Sequence, residues 1–144
     1  MTDTPIRILL AESHTAARRN LSALLTAEHG FSVIAEACDP ASALRELDER
    51  KPDVLVLDLA LTAGECSRAV RLLAERSPAT AIVALSTRTE PGFASAVTQA
   101  GASACLLKEM AEELPAAIRA AVAEARRERA QRPGHPRRLS LIRR

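Results

Sequence analysis

A set of polar residues stands directly behind short apolar runs, and together these side chains could handle a phosphoryl group. Glu12, Ser13 and His14 follow IRILLA, Asp58 follows DVLVL, Ser86 and Thr87 follow AIVAL, and Lys108 follows SACLL. A carboxylate such as Asp58 can act as a nucleophile and form an aspartyl phosphate. Carboxylate and phosphate repel each other, so such a transfer calls for a cation. Mg2+ suits the task, since it binds through one or two carboxylates plus phosphate oxygens at about 2.0–2.1 Å. Lysine brings a compact positive charge to a phosphoryl oxygen, and a hydroxyl can register the arrival of the new group.

These residues meet only if the apolar runs lie side by side. The runs 6–11, 31–37, 53–57, 81–85 and 103–107 read as strands. Between them, segments 15–28, 40–50, 66–75 and 90–100 carry apolar residues at helical spacing, and a last helix runs from near Glu112 to beyond Arg127. Strands separated by helices pair in parallel through right-handed crossovers, which gives an α/β fold: a five-stranded sheet with helices on both faces. In such sheets ligands bind outside the carboxyl ends of the strands, where the polar set falls. Thr89 before Glu90 and Pro91 reads as a helix cap, and Gly30 and Gly101 as helix stops. Pro115 is tolerable only near the beginning of its helix.

Composition narrows the function classes. The 144 residues suit one domain, and with 47% hydrophobic residues the chain can build a core. With no Trp or Tyr and two Phe, base stacking on aromatic platforms is disfavoured. Residues 126–144 hold eight arginines against the single acid Glu128, so a basic tail follows a body of net charge −5. The tail reads as solvated chain, or as an anchor for nucleic acid, anionic lipid or an acidic partner. Cys38, Cys66 and Cys105 lack disulfide or zinc spacing and read as free, buried thiols of a reducing compartment. No apolar run reaches membrane-spanning length and no signal segment is evident, so a cytoplasmic location is expected. No G-x-G-x-x-G turn supports a dinucleotide role.

Taken in order, ILLAESH, DVLVLDL, IVALST and GASACLLK resemble the strand-end motifs of response-regulator receiver domains across residues 6–127. The pairing of His14 with Leu106-Leu107-Lys108 is similar to the NarL/FixJ subfamily, whose members usually regulate transcription. The resemblance implies a flavodoxin-like sheet of order 2-1-3-4-5, with residues 1–127 as the receiver and 128–144 as the tail. It makes Asp58 the phosphoacceptor, Lys108 the conserved-type lysine, Ser86 (or Thr87) the switch hydroxyl, and Asp58 with Glu12 the Mg2+ ligands. It implies a sensor histidine kinase as partner and no catalytic turnover. It also implies a homodimer through the fourth helix, fifth strand and fifth helix, with Ala96, Val97, Ala117 and Ala121 as contacts.

Departures cluster at the same places. The family's two consecutive aspartates are Glu12 and Ser13 here, its Met-Pro is Leu61-Thr62, its Asp-Gly is Glu65-Cys66, and its switch aromatic is Cys105. Ser13 is read either as a metal contact or as a cap for the first helix, and His14 as structural or solvated. The expected result is a degenerate receiver with weak or absent Mg2+ binding that works through protein contact. One rival is the receiver portion of a NarL/FixJ-type DNA-binding regulator. Another is an aspartate-nucleophile phosphohydrolase, disfavoured because Leu59 and Ala60 follow Asp58 where that class has Asp-x-Asp.

Overall fold

The computed structural model describes residues 4–131. Twelve segments alternate: β1 (Ile6–Ala11), α1 (Thr15–Thr26), β2 (Phe31–Ala37), α2 (Pro40–Arg50), β3 (Val54–Asp58), a 3-10 turn (Leu59–Thr62), α3 (Cys66–Arg76), β4 (Ala81–Ser86), α4 (Phe93–Ala100), β5 (Ala104–Leu107), a second 3-10 stretch (Lys108–Glu113) and α5 (Leu114–Gln131). The strands form one parallel sheet in the order β2-β1-β3-β4-β5, as the resemblance implies.

The period of two in each strand sorts its side chains onto two cores. Leu9, Ala11, Leu55, Leu57, Ile82 and Ala84 pack beneath α2, α3 and α4. Ile8, Leu10, Val54, Val56, Val83 and Leu85 face α1 and α5, meeting Leu21, Leu25, Leu114, Ile118 and Val122. β3 and β4 are buried along their whole lengths, which explains why DVLVL and AIVAL are continuous apolar runs rather than alternating ones.

The helix ends correct several expectations. α1 stops at Thr26, with Ala27 as its C-cap and Gly30 three residues further on. Ser13 does not cap it: the N-cap is His14, with no side-chain bond, and Ser13 is exposed. α4 begins at Phe93 rather than at residue 90. Gly92 is its N-cap at φ +85°, a left-handed turn that breaks the helical path behind Pro91, so Thr89 caps nothing. α5 begins at Leu114, two residues later than expected, which seats Pro115 in the first turn where its missing N–H is harmless. Gly101 does close α4; at φ +136° it brings the chain so near α3 that a Cβ would lie 2.9 Å from that of Ala74.

Two further expectations change. Val97 and Ala121 are core residues, 0% and 5% exposed, and cannot serve as contacts on an α4–β5–α5 surface. Ala96 is exposed and Ala117 half-buried. Of the thiols, only Cys66 is buried; Cys38 is exposed and Cys105 half-buried. Most of the basic tail lies outside the described residues.

Candidate functional site at the carboxyl ends of the strands

β1, β3 and β5 deliver their last polar residues to one point. Lys108 Nζ lies 2.9 Å from Glu12 Oε1 and 3.3 Å from Asp58 Oδ2. Both carboxylates are almost wholly buried, at 0% and 2% exposure. Each gives its other oxygen to a backbone N–H close in sequence: Ala60 donates to Asp58 Oδ1 at 3.1 Å, and His14 to Glu12 Oε2 at 3.0 Å. Glu12 Oε1 and Asp58 Oδ2 have no well-directed hydrogen bond, and each lies against the ammonium.

These surroundings drive the two acids apart. Burial pushes the Asp58 carboxyl up; the Ala60 N–H opposes this, the Glu12 charge adds to it, and the net shift is upward. Burial also pushes Glu12 up, but Lys108, the His14 N–H and Asp58 together outweigh it and lower its pKa. Lys108 loses hydration, yet the two carboxylates hold its proton more tightly than usual. The arrangement is an ionised Glu12–Lys108 pair with the more readily protonated Asp58 beside it.

A cavity of about 370 Å³ opens over Asp58, lined by His14, Ala60, Cys66, Ser86, Arg88 and Lys108, among others. Thr87 lines it too. Ser86 Oγ is buried and accepts the Arg88 backbone N–H at 2.9 Å, leaving its own proton to donate. Sequence reasoning therefore brought Asp58, Glu12, Lys108, Ser86 and Thr87 to one place. Cys105 stands aside, lining a neighbouring cavity of about 220 Å³ beneath the first turn of α4. Burial and the nearby Cys66 thiol push its own thiol upward. Ser13, exposed, lines neither cavity.

Two cavity residues were missed. Cys66 enters as the first residue of α3, its thiol accepting the Thr62 hydroxyl at 3.3 Å. Arg88 lies two positions past Ser86, and its guanidinium stacks 4.2 Å over the Phe93 ring. Nothing in the local pattern marks it, because the turn at Gly92 is what brings Phe93 beneath it.

A divalent cation fits this donor set poorly. Mg2+ requires near-octahedral oxygen ligands. Here the two free carboxylate oxygens are already matched by one ammonium, and Glu12 lies behind Lys108, outside the cavity lining. Among the described residues no group of three His, Cys, Asp or Glu side chains is placed to hold a metal.

The response regulator receiver domain matches residues 8–119, and the chain belongs to that family. The oxygen regulatory protein NreC of Staphylococcus haemolyticus is 30% identical over 109 residues, which are 75% of this chain and 50% of NreC. A LuxR-family two-component response regulator from Aurantimonas sp. superposes with a TM-score of 0.76 at 31% identity, covering 84% of this chain and 87% of that one. The signal receiver domain of a NarL response regulator from Mycobacterium tuberculosis shares the fold, with a TM-score of 0.72 at 23% identity over 85% and 98% of the two chains. The chain spans about half the length of the sequence relatives it matches.

It is thus a receiver similar to those of NarL/LuxR-type response regulators, the modules of phosphorelay signalling. Receiver domains are generally phosphoryl acceptors rather than turnover enzymes, interact with histidine kinases, and typically bind Mg2+ at this pocket. No helix among the described residues is long and apolar enough to cross a membrane.

Proposed function

We propose that Asp58 occupies the phosphoacceptor position of a weakly accepting, degenerate receiver that acts through protein contact. The observation that carries this reading is Lys108 Nζ, which already engages the free oxygens of both Asp58 and Glu12. With Ser13 exposed and neutral, no second acid reaches the cavity to favour a divalent ion over that ammonium. Mg2+ therefore binds weakly at best, through Asp58 with Glu12 behind it, and contributes little charge neutralisation.

The remaining parts follow the family layout. Ser86, with Thr87 beside it, is the hydroxyl that meets an arriving phosphoryl group. Cys105 fills the place of the switch aromatic without its bulk. The receiver is assigned to residues 1–127 and a basic segment to 128–144, with α5 carrying across that boundary to Gln131. It acts in the cytoplasm, and its partners are a sensor histidine kinase or another signalling protein, and a second copy through α4, β5 and α5, where Ala96 remains an accessible contact.

A second reading has its own support. The relatives matched include the transcriptional regulatory protein DegU of Brevibacillus brevis, matched over 47% of its length. In that reading this chain is the receiver portion of a DNA-binding regulator. DNA binding by the tail with a steep salt dependence would favour it.

Acetyl phosphate with Mg2+, followed by mass measurement and a phosphate-affinity gel, tests the first reading. Wild type is expected to gain one phosphoryl group slowly and far below stoichiometry, and Asp58→Ala none. Fast, complete labelling overturns the degenerate reading. Labelling that survives in Asp58→Ala overturns the acceptor assignment.

A further inference from the structure

The two cavities near Asp58 share a wall. The larger, about 370 Å³, holds Asp58 and Lys108; the smaller, about 220 Å³, holds Glu90, Ala94 and Cys105. Ser86 and Arg88 line both. Arg88 is therefore a long cationic side chain with open space on either side.

Its present contacts are of a kind that exchange readily. Arg88 Nε bonds Glu90 Oε2 at 3.1 Å and Nη2 lies 3.0 Å from the same oxygen, while both side chains are about half exposed. An exposed pair of this kind contributes little. The guanidinium face rests on Phe93, the first residue of α4, and the Arg88 backbone N–H is anchored on Ser86 Oγ. One residue thus touches the cavity, the switch hydroxyl and the start of α4.

A phosphoryl group over Asp58 would bring about two negative charges into a pocket where Lys108 is already shared by two carboxylates. The nearest additional cation on the wall is Arg88, whose planar fork matches phosphate oxygens in pairs. Leaving Glu90 for that oxyanion would lift the guanidinium off Phe93.

We propose that Arg88 and Lys108 form a metal-independent oxyanion cradle over Asp58, and that Arg88 transmits occupancy to α4 by exchanging Glu90 and Phe93 for the phosphoryl oxygens. The proposal rests on Asp58 as the acceptor position and adds the residue that senses the group. It also supplies a route to α4 that does not need the aromatic replaced by Cys105.

Inorganic phosphate titrated into the protein in EDTA, followed by amide NMR, tests it without any covalent step. Expected shifts fall at Ala60, Thr87 and Arg88 and extend to Phe93 and Ala94. Arg88→Gln should weaken the apparent affinity about tenfold. Phe93→Leu should keep the affinity and lose the response of α4. Equal binding in Arg88→Gln, no saturable response in EDTA, or an α4 response unchanged in Phe93→Leu each overturns the proposal. Because phosphate forms no bond to Asp58 here, a failure of acetyl phosphate labelling leaves this titration interpretable.

Discussion

The two rims of the sheet are built from similar residues and treat them in opposite ways. At the amino ends of the strands no buried side-chain polar atom among the described residues lacks a hydrogen-bond partner. Arg7 donates through Nη1 and Nη2 to the Lys51 and Arg50 carbonyls at 2.8 and 2.7 Å, closing the end of α2. Its backbone N–H goes to Asp53 Oδ2 at 2.8 Å, and the Thr80 hydroxyl goes to the Pro52 carbonyl at 2.7 Å. At the carboxyl ends, two buried carboxylates converge on one ammonium, each with an oxygen that no directed hydrogen bond satisfies. Such a cluster is expensive in a fold that could have packed apolar groups there. Satisfied polar groups hold the architecture, and unsatisfied ones mark where it is prepared to take a ligand.

The largest effect that would break this contrast is loss of the shared cation. Lys108→Met leaves Glu12 and Asp58 buried without a counter-charge, and unfolding in urea should register a loss of about 3–5 kcal/mol at neutral pH. A loss under 1 kcal/mol would mean that the carboxylates are solvated and the rim is not strained. Acidification should narrow the deficit as Asp58 takes up a proton, because the neutral acid no longer needs the ammonium.

At the other rim, Thr80→Val removes the hydroxyl that serves the Pro52 carbonyl and shares a 2.7 Å bond with Ser77. The expected cost is about 1–3 kcal/mol, with phosphate binding in EDTA unchanged. An altered phosphate affinity would show that the rims are coupled and that the contrast between them is too simple.

The sequence carried the architecture well and the site in part. β3 and β4 were legible because strands buried on both faces leave unbroken apolar runs, and the polar residues after them could be placed on one edge by topology alone. The start of α4 was misplaced because Gly92 turns left-handed, a backbone choice that the favourable Thr89-Glu90-Pro91 pattern conceals. Arg88 was invisible for the same reason, since its neighbour Phe93 reaches it only across that turn. Family analogy puts Val97 and Ala121 on a surface, yet helical phase turns both into the core. The depth of Glu12 was not legible either: its side chain folds back because the His14 N–H draws one oxygen and Lys108 the other.

The smallest effect sharpens the picture most, because its sign is unusual for the loss of a site carboxylate. The raised pKa of Asp58 means that the folded state binds its proton more tightly than the unfolded chain does. Wild type must then lose stability as pH rises from the ordinary carboxylate range through the raised value. Asp58→Asn resembles the protonated acid in shape, can still accept the Ala60 N–H, and leaves the Glu12–Lys108 pair in place. It should be more stable than wild type by about 1 kcal/mol at neutral pH. The advantage should vanish below the unfolded carboxylate pKa, where both side chains are neutral. Glu12→Gln should behave in the opposite way: the folded pKa of Glu12 is lowered, so its charge stabilises the fold above the ordinary range and that stabilisation fades on acidification. Matched urea titrations of the two variants from neutral to acidic pH check this. If both variants shift stability in the same direction, the pocket carries a uniform acidic charge, and Lys108 does not divide the acids into one held ionised and one held ready.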